Sequence, residues 1–119
     1  VCVNLGTNDV STQPYDTGLL EQGYRNFLKT LRGYYPKAKI VLLSGCMLKG
    51  KPLEDVQTAL NRVAREANEA GDSQVYRFDL TPADGSLGYG ASWHPSKAQQ
   101  YKGADELVPF LRSITGWEY

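Results

Sequence analysis

Three short apolar segments alternate with longer amphipathic segments along the chain. The apolar segments are VCVNL at residues 1–5, KIVLLS at 39–44 and QVYRFDL at 74–80. The second is apolar almost throughout, which is typical of a strand that is buried on both faces of a parallel sheet. The pattern therefore predicts three β-strands, and the helical segments between them predict parallel pairing.

Two amphipathic segments separate these strands, with apolar residues at the spacing of one helical face. In the first segment they are Leu20, Tyr24, Phe27, Leu28 and Leu31, and in the second they are Leu53, Val56, Leu60, Val63 and Ala67. Gly33 and Pro36 are expected to end the first helix. Pro52 suits the first turn of the second helix, and Gly71 suits its end.

A third helix is predicted from about Ser96 to Ile114, after a long glycine-rich loop without periodicity. Its expected inward residues are Tyr101, Ala104, Leu107, Val108, Leu111 and Ile114. Pro109 is expected to kink this helix, because proline cannot donate the usual backbone hydrogen bond. The order β-α-β-α-β-loop-α predicts an α/β fold of three α/β/α layers around a parallel sheet.

Three strands make a small sheet for such a fold, and the first strand has the apolar character of an interior strand. Residues 1–119 are therefore interpreted as the C-terminal part of a five-stranded domain, whose N-terminal portion lies outside this chain. The isolated chain is expected to be inactive and poorly folded. The unpaired apolar edge of its first strand is a recognised site of association.

Composition narrows the classes of function. The 119 residues include thirteen Lys and Arg and thirteen Asp and Glu, so the formal net charge is zero. No basic cluster favours nucleic acid as a partner, and no apolar run is long enough to indicate a membrane span. Cys2 and Cys46 should lie roughly 13 Å apart along neighbouring strands. A disulfide spans about 7 Å at most, so separate thiols are expected.

Asn8 and His94 are the two candidate functional residues of the predicted loops. Loops after the carboxyl ends of parallel strands share one edge of the sheet, where ligands bind. GTND after the first strand and GASWHPS after the third should therefore converge. His94, the only histidine, is either a general base or a packing residue beside Pro95. Asn8 is either an amide donor to an oxyanion or an ordinary turn residue.

The segments NLGTND and GASWHPS resemble the third and fifth conserved blocks of the SGNH (GDSL-type) hydrolases. The resemblance extends over essentially all 119 residues. DGSLGYGASWHPS followed by ADELVPFL resembles carbohydrate esterase family 2 more narrowly. The resemblance implies a flavodoxin-like SGNH fold, an extracellular enzyme without metal or cofactor, and an acetylated polysaccharide or oligosaccharide such as xylan as substrate.

A Ser-His mechanism is implied by this resemblance, with a nucleophilic serine upstream of the chain. His94 would accept the serine proton, Asn8 would donate to the oxyanion, and Trp93 would form an apolar wall of the sugar site. The serines within the chain lack a GDS or G-x-S-x-G elbow. The poor nucleophile candidates are Ser44, Ser86, Ser92 and Ser96.

The chain departs from the family pattern at the acid that normally orients the histidine. Ala91 and Ser92 stand at the two positions where that acid would lie. A backbone carbonyl is therefore favoured as the partner of His94 Nδ1, with Ser92 Oγ and the Asp84 carboxylate as alternatives. Asp9 is expected to be structural, its carboxylate accepting hydrogen bonds from backbone N–H groups of its own turn.

Two other functions stay open from the sequence. A non-catalytic carbohydrate-binding module on the same scaffold would use Trp93 and nearby tyrosines. A flavodoxin-like phosphate or nucleotide domain is less favoured, because no loop has the glycine spacing that cradles phosphates. The upstream sequence distinguishes the binding module from the esterase, since a G-[DN]-S strand-to-helix turn there would indicate an enzyme.

Overall fold

The computed structural model describes residues 1–118. Its elements, in chain order, are β1 (Cys2–Val3), α1 (Thr17–Tyr34), β2 (Ile40–Ser44), α2 (Gly50–Glu69), β3 (Val75–Asp79) and α3 (Lys97–Thr115). A short 3-10 turn at Ala91–Trp93 lies in the loop before α3. The order of elements is the predicted one. Among these residues no helix is both long and apolar enough to cross a membrane.

The three strands form one parallel sheet in the order β1-β2-β3. Cys2 pairs with Val41 in the first ladder, and the second ladder joins all five residues of β2 to β3. Every residue of β2 is buried. This central position explains why β2 is the most uniformly apolar of the three segments.

The strand β1 ends two residues earlier than predicted, because the backbone of Leu5 bonds to helix α1 instead of to β2. The Tyr24 hydroxyl donates to the Leu5 carbonyl oxygen at 2.7 Å and accepts from the Leu5 N–H at 3.3 Å. Burial raises the pKa of Tyr24, so the hydroxyl stays protonated and can make both bonds. The chain therefore leaves the sheet where the GTND turn begins.

Helices cover both faces of this sheet. One face packs against α1 and α2 in a continuous apolar core that includes Ile40, Leu42 and Leu60. On the other face, the Phe110 ring of α3 lies 4.9 Å from the Phe78 ring and 6.4 Å from the Tyr76 ring, between centroids. This arrangement confirms the predicted three-layer α/β/α architecture.

The two helices on the core face largely follow the predicted pattern. Asp16 caps α1 by accepting hydrogen bonds from the N–H groups of Gly18 and Leu19. The helix runs through Gly33 and ends at Tyr34. Phe27, predicted to face inward, is 39% exposed and lies at the margin of the core.

The inward face of α3 differs from the prediction. Tyr101 is 61% exposed and Ala104 is exposed, so the assignment of both to the core was wrong. Gln99 is buried instead, and Leu80 packs over Gly103. The apolar pattern missed this face because its first members are an amide and a glycine.

Two contacts further along α3 explain why this face, and not the predicted one, is turned toward the sheet. The Glu106 carboxylate accepts the Thr81 N–H at 3.0 Å, and Phe110 packs on the sheet as described. With Gln99 and Gly103 these residues form one helical stripe. The helix continues through Pro109 to Thr115, so the proline removes one backbone hydrogen bond without ending the helix.

Candidate active site

A cleft of about 540 Å³ lies at the carboxyl edge of the sheet, between the loops that follow all three strands. Residues 6–9 come from the loop after β1, and residues 45–47 come from the loop after β2. His94 and Pro95 come from the loop after β3. Asn8 and His94 therefore line the same cleft, as the predicted topology requires.

The turn that carries Asn8 depends on a glycine at its start. Gly6 has φ +116°, and a Cβ there would lie 3.6 Å from Val56 Cγ1. The Asp9 N–H donates to the Gly6 carbonyl oxygen at 3.1 Å and closes the turn, while Val10 is 3% exposed and anchors the chain that follows. Among residues 1–118 no hydrogen bond engages the Asn8 side chain, so its amide is available to a ligand.

The loop after β2 approaches the end of β1 closely. A Cβ on Gly45 would lie 2.9 Å from Asn4 Oδ1, so a larger residue there would displace the Asn4 side chain. Cys46 follows, and burial raises the pKa of its thiol. A protonated thiol is a poor nucleophile at neutral pH. Cys2 and Cys46 are both free, which confirms the predicted separate thiols.

The His94 ring is held by a backbone carbonyl. Its Nδ1 lies 2.9 Å from the Ala91 carbonyl oxygen, and the His94 backbone N–H donates to the same oxygen at 3.0 Å. Because that oxygen can only accept, the contact requires a proton on Nδ1 and leaves Nε2 of a neutral ring as the acceptor. The contact is the carbonyl interaction that the sequence favoured; the catalytic role of His94 stays a prediction.

Two residues before His94 have an unusual backbone conformation. Ser92 and Trp93 have φ values of +51° and +62°. Such left-handed conformations cost about 1–3 kcal/mol each in residues other than glycine, and they cluster at functional sites. The turn brings the Ala91 carbonyl back to the ring of His94, three residues later in the chain. Its backbone strain is thus tied directly to the orientation of the imidazole.

A side recess adjoins the main cleft at Trp93. It has a volume of about 250 Å³ and shares Cys46, Met47 and Pro95 with the cleft. The Trp93 side chain lies at its margin and is 77% exposed. Its ring packs edge-on against Tyr89, with 5.4 Å between centroids. An exposed indole beside a cleft is suited to the predicted role of Trp93, which is to form an apolar wall of the sugar site.

The two aspartates considered from the sequence have local contacts. The Asp84 carboxylate accepts the Ser86 N–H at 2.9 Å, and hydrogen bonding from Ser86 lowers the pKa of Asp84. It is therefore a turn residue and not the partner of His94 Nδ1. The prediction for Asp9 was wrong in detail. Within residues 1–118 its carboxylate accepts no backbone hydrogen bond, and its own N–H closes the turn instead.

The hydroxyl groups of two candidate serines are already engaged. Ser44 is 2% exposed, and its Oγ donates to Asp79 Oδ1 at 2.7 Å. Ser96 Oγ donates to the Leu87 carbonyl oxygen at 2.8 Å. These contacts agree with the expectation that neither residue is a nucleophile. Within the described residues no cluster of three or more His, Cys, Asp or Glu forms a metal site.

Several residues of the cleft were not singled out from the sequence. Asn4, Met47, Leu80 and Gln100 also line it. Asn4 follows the last residue of β1 and Leu80 follows the last residue of β3, so their position at the active edge could have been inferred from the strand ends. Gln100 lies in the first turn of α3, and its place in the cleft depends on how α3 docks.

Comparison with known proteins shows the family to which the chain belongs. Residues 1–107 match the family described as GDSL-like Lipase/Acylhydrolase. The chain is 37% identical over 117 residues to the cellulase/esterase CelE of Acetivibrio thermocellus, and 33% identical over 113 residues to an acetylxylan esterase / glucomannan deacetylase of Cellvibrio japonicus. These matches cover 98% and 95% of this chain but 14% and 30% of those proteins. The chain thus spans less than a third of these relatives.

Solved carbohydrate esterases have the same fold. A family two carbohydrate esterase from Clostridium thermocellum in complex with cellohexaose matches 99% of this chain, with a TM-score of 0.96 and 36% identity. A family two carbohydrate esterase from Cellvibrio japonicus matches 98%, with a TM-score of 0.83 and 28% identity. The matched region is 36% and 33% of those two chains. Both contain a much longer polypeptide than the one described here.

Proposed function

Because the chain belongs to the GDSL-like lipase/acylhydrolase family, we propose that it is the C-terminal part of a serine-type carbohydrate esterase. The intact enzyme removes acetyl groups from plant cell-wall polysaccharide of the xylan type, and it acts outside the cell. Its nucleophilic serine lies in the portion upstream of residue 1. The observation that carries this proposal is the shared cleft of Asn8 and His94, in which the His94 ring is oriented by the Ala91 carbonyl.

His94 acts as the general base in this mechanism. The upstream serine oxygen forms a bond to the acetyl carbonyl carbon, and its proton passes to Nε2 of His94. The imidazolium then returns the proton to the sugar oxygen as the ester C–O bond breaks, leaving an acetyl-serine. Water repeats the sequence and releases acetate. The Nδ1 contact with the Ala91 carbonyl supports this role, because it leaves Nε2 free to accept the proton.

Asn8 stabilises the tetrahedral intermediate. Its side-chain amide donates to the negatively charged oxygen, which exists in the transition state and not in the bound ester. One such donor typically contributes about 10²–10³ in rate. The exposed side chain on a glycine-dependent turn supports the assignment, because no other contact within residues 1–118 competes for the amide. Trp93 binds the sugar ring beside the base.

Carbohydrate binding without hydrolysis is the second candidate function. It is favoured by the exposed Trp93 ring next to the cleft and by the solved relative that holds cellohexaose. The two functions share the sugar site and differ in whether an upstream nucleophile meets His94. They therefore predict the same ligands and different chemistry.

The experiment that separates them uses the intact protein with acetylated xylan and with cellohexaose. Acetate release is measured enzymatically, and cellohexaose binding is measured by calorimetry. We expect wild type to release acetate, His94→Ala to abolish release while binding is retained, and Trp93→Ala to weaken binding. Cellohexaose binding by wild type without any acetate release would support the binding module and contradict the esterase.

A further inference from the structure

Ser96 connects the start of α3 to the middle of the loop that carries His94. Its Oγ accepts the Gln99 N–H at 3.1 Å, which caps the helix. The same hydroxyl donates to the Leu87 carbonyl oxygen at 2.8 Å, nine residues earlier. One side chain therefore has two functions that chemistry can separate, because capping uses the oxygen lone pair and the loop contact uses the hydroxyl proton.

We propose that Ser96 is a positioning residue for His94, and that its donated hydrogen bond to Leu87 holds the two sides of the loop together around the imidazole. The inference rests on the proposed esterase function for its kinetic consequences. It goes beyond that function because the reaction itself requires no contact between Ser96 and the substrate.

The loop needs such a contact because its own residues favour other conformations. The left-handed backbone at Ser92 and Trp93 is not relieved by glycine, and residues 86–94 are all exposed, so no apolar core holds them. A strained turn persists only where surrounding contacts determine it. Within the described residues those contacts are the edge-on packing of Tyr89 against Trp93 and hydrogen bonds across the loop.

Two cross-loop contacts occur in succession. The Gly90 N–H donates to the His94 carbonyl oxygen at 2.8 Å, which is a hydrogen bond of the antiparallel bridge between Tyr89 and Pro95. The Ser96 hydroxyl then bonds to Leu87. The first contact pairs backbone with backbone, and the second continues the ladder with a side chain. Without the second contact the pairing ends at the backbone bridge, so the turn that carries the Ala91 carbonyl is held less firmly against His94.

Glycine at position 96 separates the two functions of the serine. Glycine is nearly as good an N-cap as serine, but it has no hydroxyl to donate to Leu87. Threonine keeps both the cap and the donor. Ser113 provides a matched control, because its Oγ also donates to a backbone carbonyl oxygen, that of Phe110, at 2.6 Å in the same helix. Ser113 lies near the other end of α3, away from the loop.

The test compares wild type, Ser96→Gly, Ser96→Thr and Ser113→Gly in the intact protein, each on an acetyl ester substrate. We expect Ser96→Gly to lower kcat about tenfold, the effect of losing one hydrogen bond, with KM unchanged. Ser96→Thr should retain the wild-type kcat. Ser113→Gly should also retain it, although it places a glycine inside a helix. An unchanged kcat in Ser96→Gly, or an equal loss in Ser113→Gly, would overturn the inference.

Nitrogen-15 NMR of the His94 ring provides a readout that does not depend on turnover. In wild type the Ala91 carbonyl selects the tautomer with a proton on Nδ1, and Ser96→Gly should shift the ring toward a mixture of tautomers. If wild type releases no acetate, the esterase function fails, and the tautomer comparison alone decides the positioning role. A His94 tautomer unaffected by Ser96→Gly would then overturn it.

Discussion

Replacing Asp84 by asparagine tests whether His94 works without a carboxylate partner. Asp84 is the nearest carboxylate before His94 in the sequence of its loop, and it is the residue that would replace the missing acid. In the structure its Oδ1 accepts the Ser86 N–H at 2.9 Å. The acceptor of His94 Nδ1 is the Ala91 carbonyl oxygen at 2.9 Å.

The two possibilities differ strongly in magnitude. A carboxylate that orients and stabilises the imidazolium contributes about 10⁴ in kcat when its amide is the comparison. The side-chain amide introduced by Asp84→Asn would keep an oxygen that accepts the Ser86 N–H, so the local turn should survive the change. We therefore expect Asp84→Asn to lower kcat less than about tenfold, with unchanged KM.

The assay is acetate release by the intact protein, with circular dichroism to confirm the fold. Asp105→Asn, an exposed substitution of the same kind on α3, is the matched control. A fall of several orders of magnitude in Asp84→Asn alone, with the fold intact, would show that His94 depends on a carboxylate partner. It would mean that the acid has moved within the loop and that the carbonyl contact does not suffice.

Three further outcomes are expected from other parts of the molecule. Hydrogen bonding from Lys102, and to a smaller extent from the Thr81 N–H, holds the pKa of Glu106 below its ordinary value of 4.5. The ionised carboxylate therefore stabilises the fold above that pH. This stabilisation is lost as the pH falls through the lowered pKa. The stability difference between wild type and Glu106→Gln, measured by urea unfolding, should thus shrink in acid, and a pH-independent difference would contradict this. Gly6→Ala should destabilise the protein by more than about 1 kcal/mol because φ is positive there. The control Gly23→Ala, in open space on α1, should stabilise it by up to about 1 kcal/mol. Thermal unfolding compares the two variants, and equal effects on stability would argue against a strained turn at Gly6. Residues 1–119 expressed alone should show no ester turnover and should associate through the exposed edge of β1, as sedimentation velocity can show; an active, stable monomer would be the opposite result.

The sheet and helices could be predicted because their signals are local. The run around Ile40–Ser44 is apolar at every position but the last, and the helical stripes on α1 and α2 match their buried faces except at Phe27. The convergence of Asn8 and His94 followed from topology alone, since parallel strands place their following loops at one edge. Neither inference required knowledge of a specific tertiary contact.

The docking of α3 could not be predicted in the same way. Its inward stripe begins with Gln99 and Gly103, which no hydrophobic pattern would select, and Tyr101 is exposed although it is apolar. Which face of α3 is turned toward the sheet depends on the packing of Phe110 on the sheet and on the contact of Glu106 with Thr81. These are long-range contacts, and tertiary packing overrides local pattern where the two disagree.

The loop that carries His94 shows the same limit at the site itself. The sequence suggested a carbonyl as the partner of His94 because Ala91 and Ser92 replace the acid, yet it gave no sign that Ser92 and Trp93 are left-handed. Serine and tryptophan have no marked preference for that region. The link from Ser96 to Leu87 was equally hidden, because one serine hydroxyl in a loop has many possible partners.

The kinetics of Asn8→Ala test whether the turn after β1 and the loop after β3 form one catalytic cleft. The intact protein is assayed on an acetyl ester over a range of concentrations, so that kcat and KM are obtained separately. If Asn8 donates to the oxyanion, kcat should fall by about 10²–10³ with little change in KM, because the interaction is made in the transition state. A raised KM at unchanged kcat would make Asn8 a substrate-binding residue and contradict its role as the oxyanion donor.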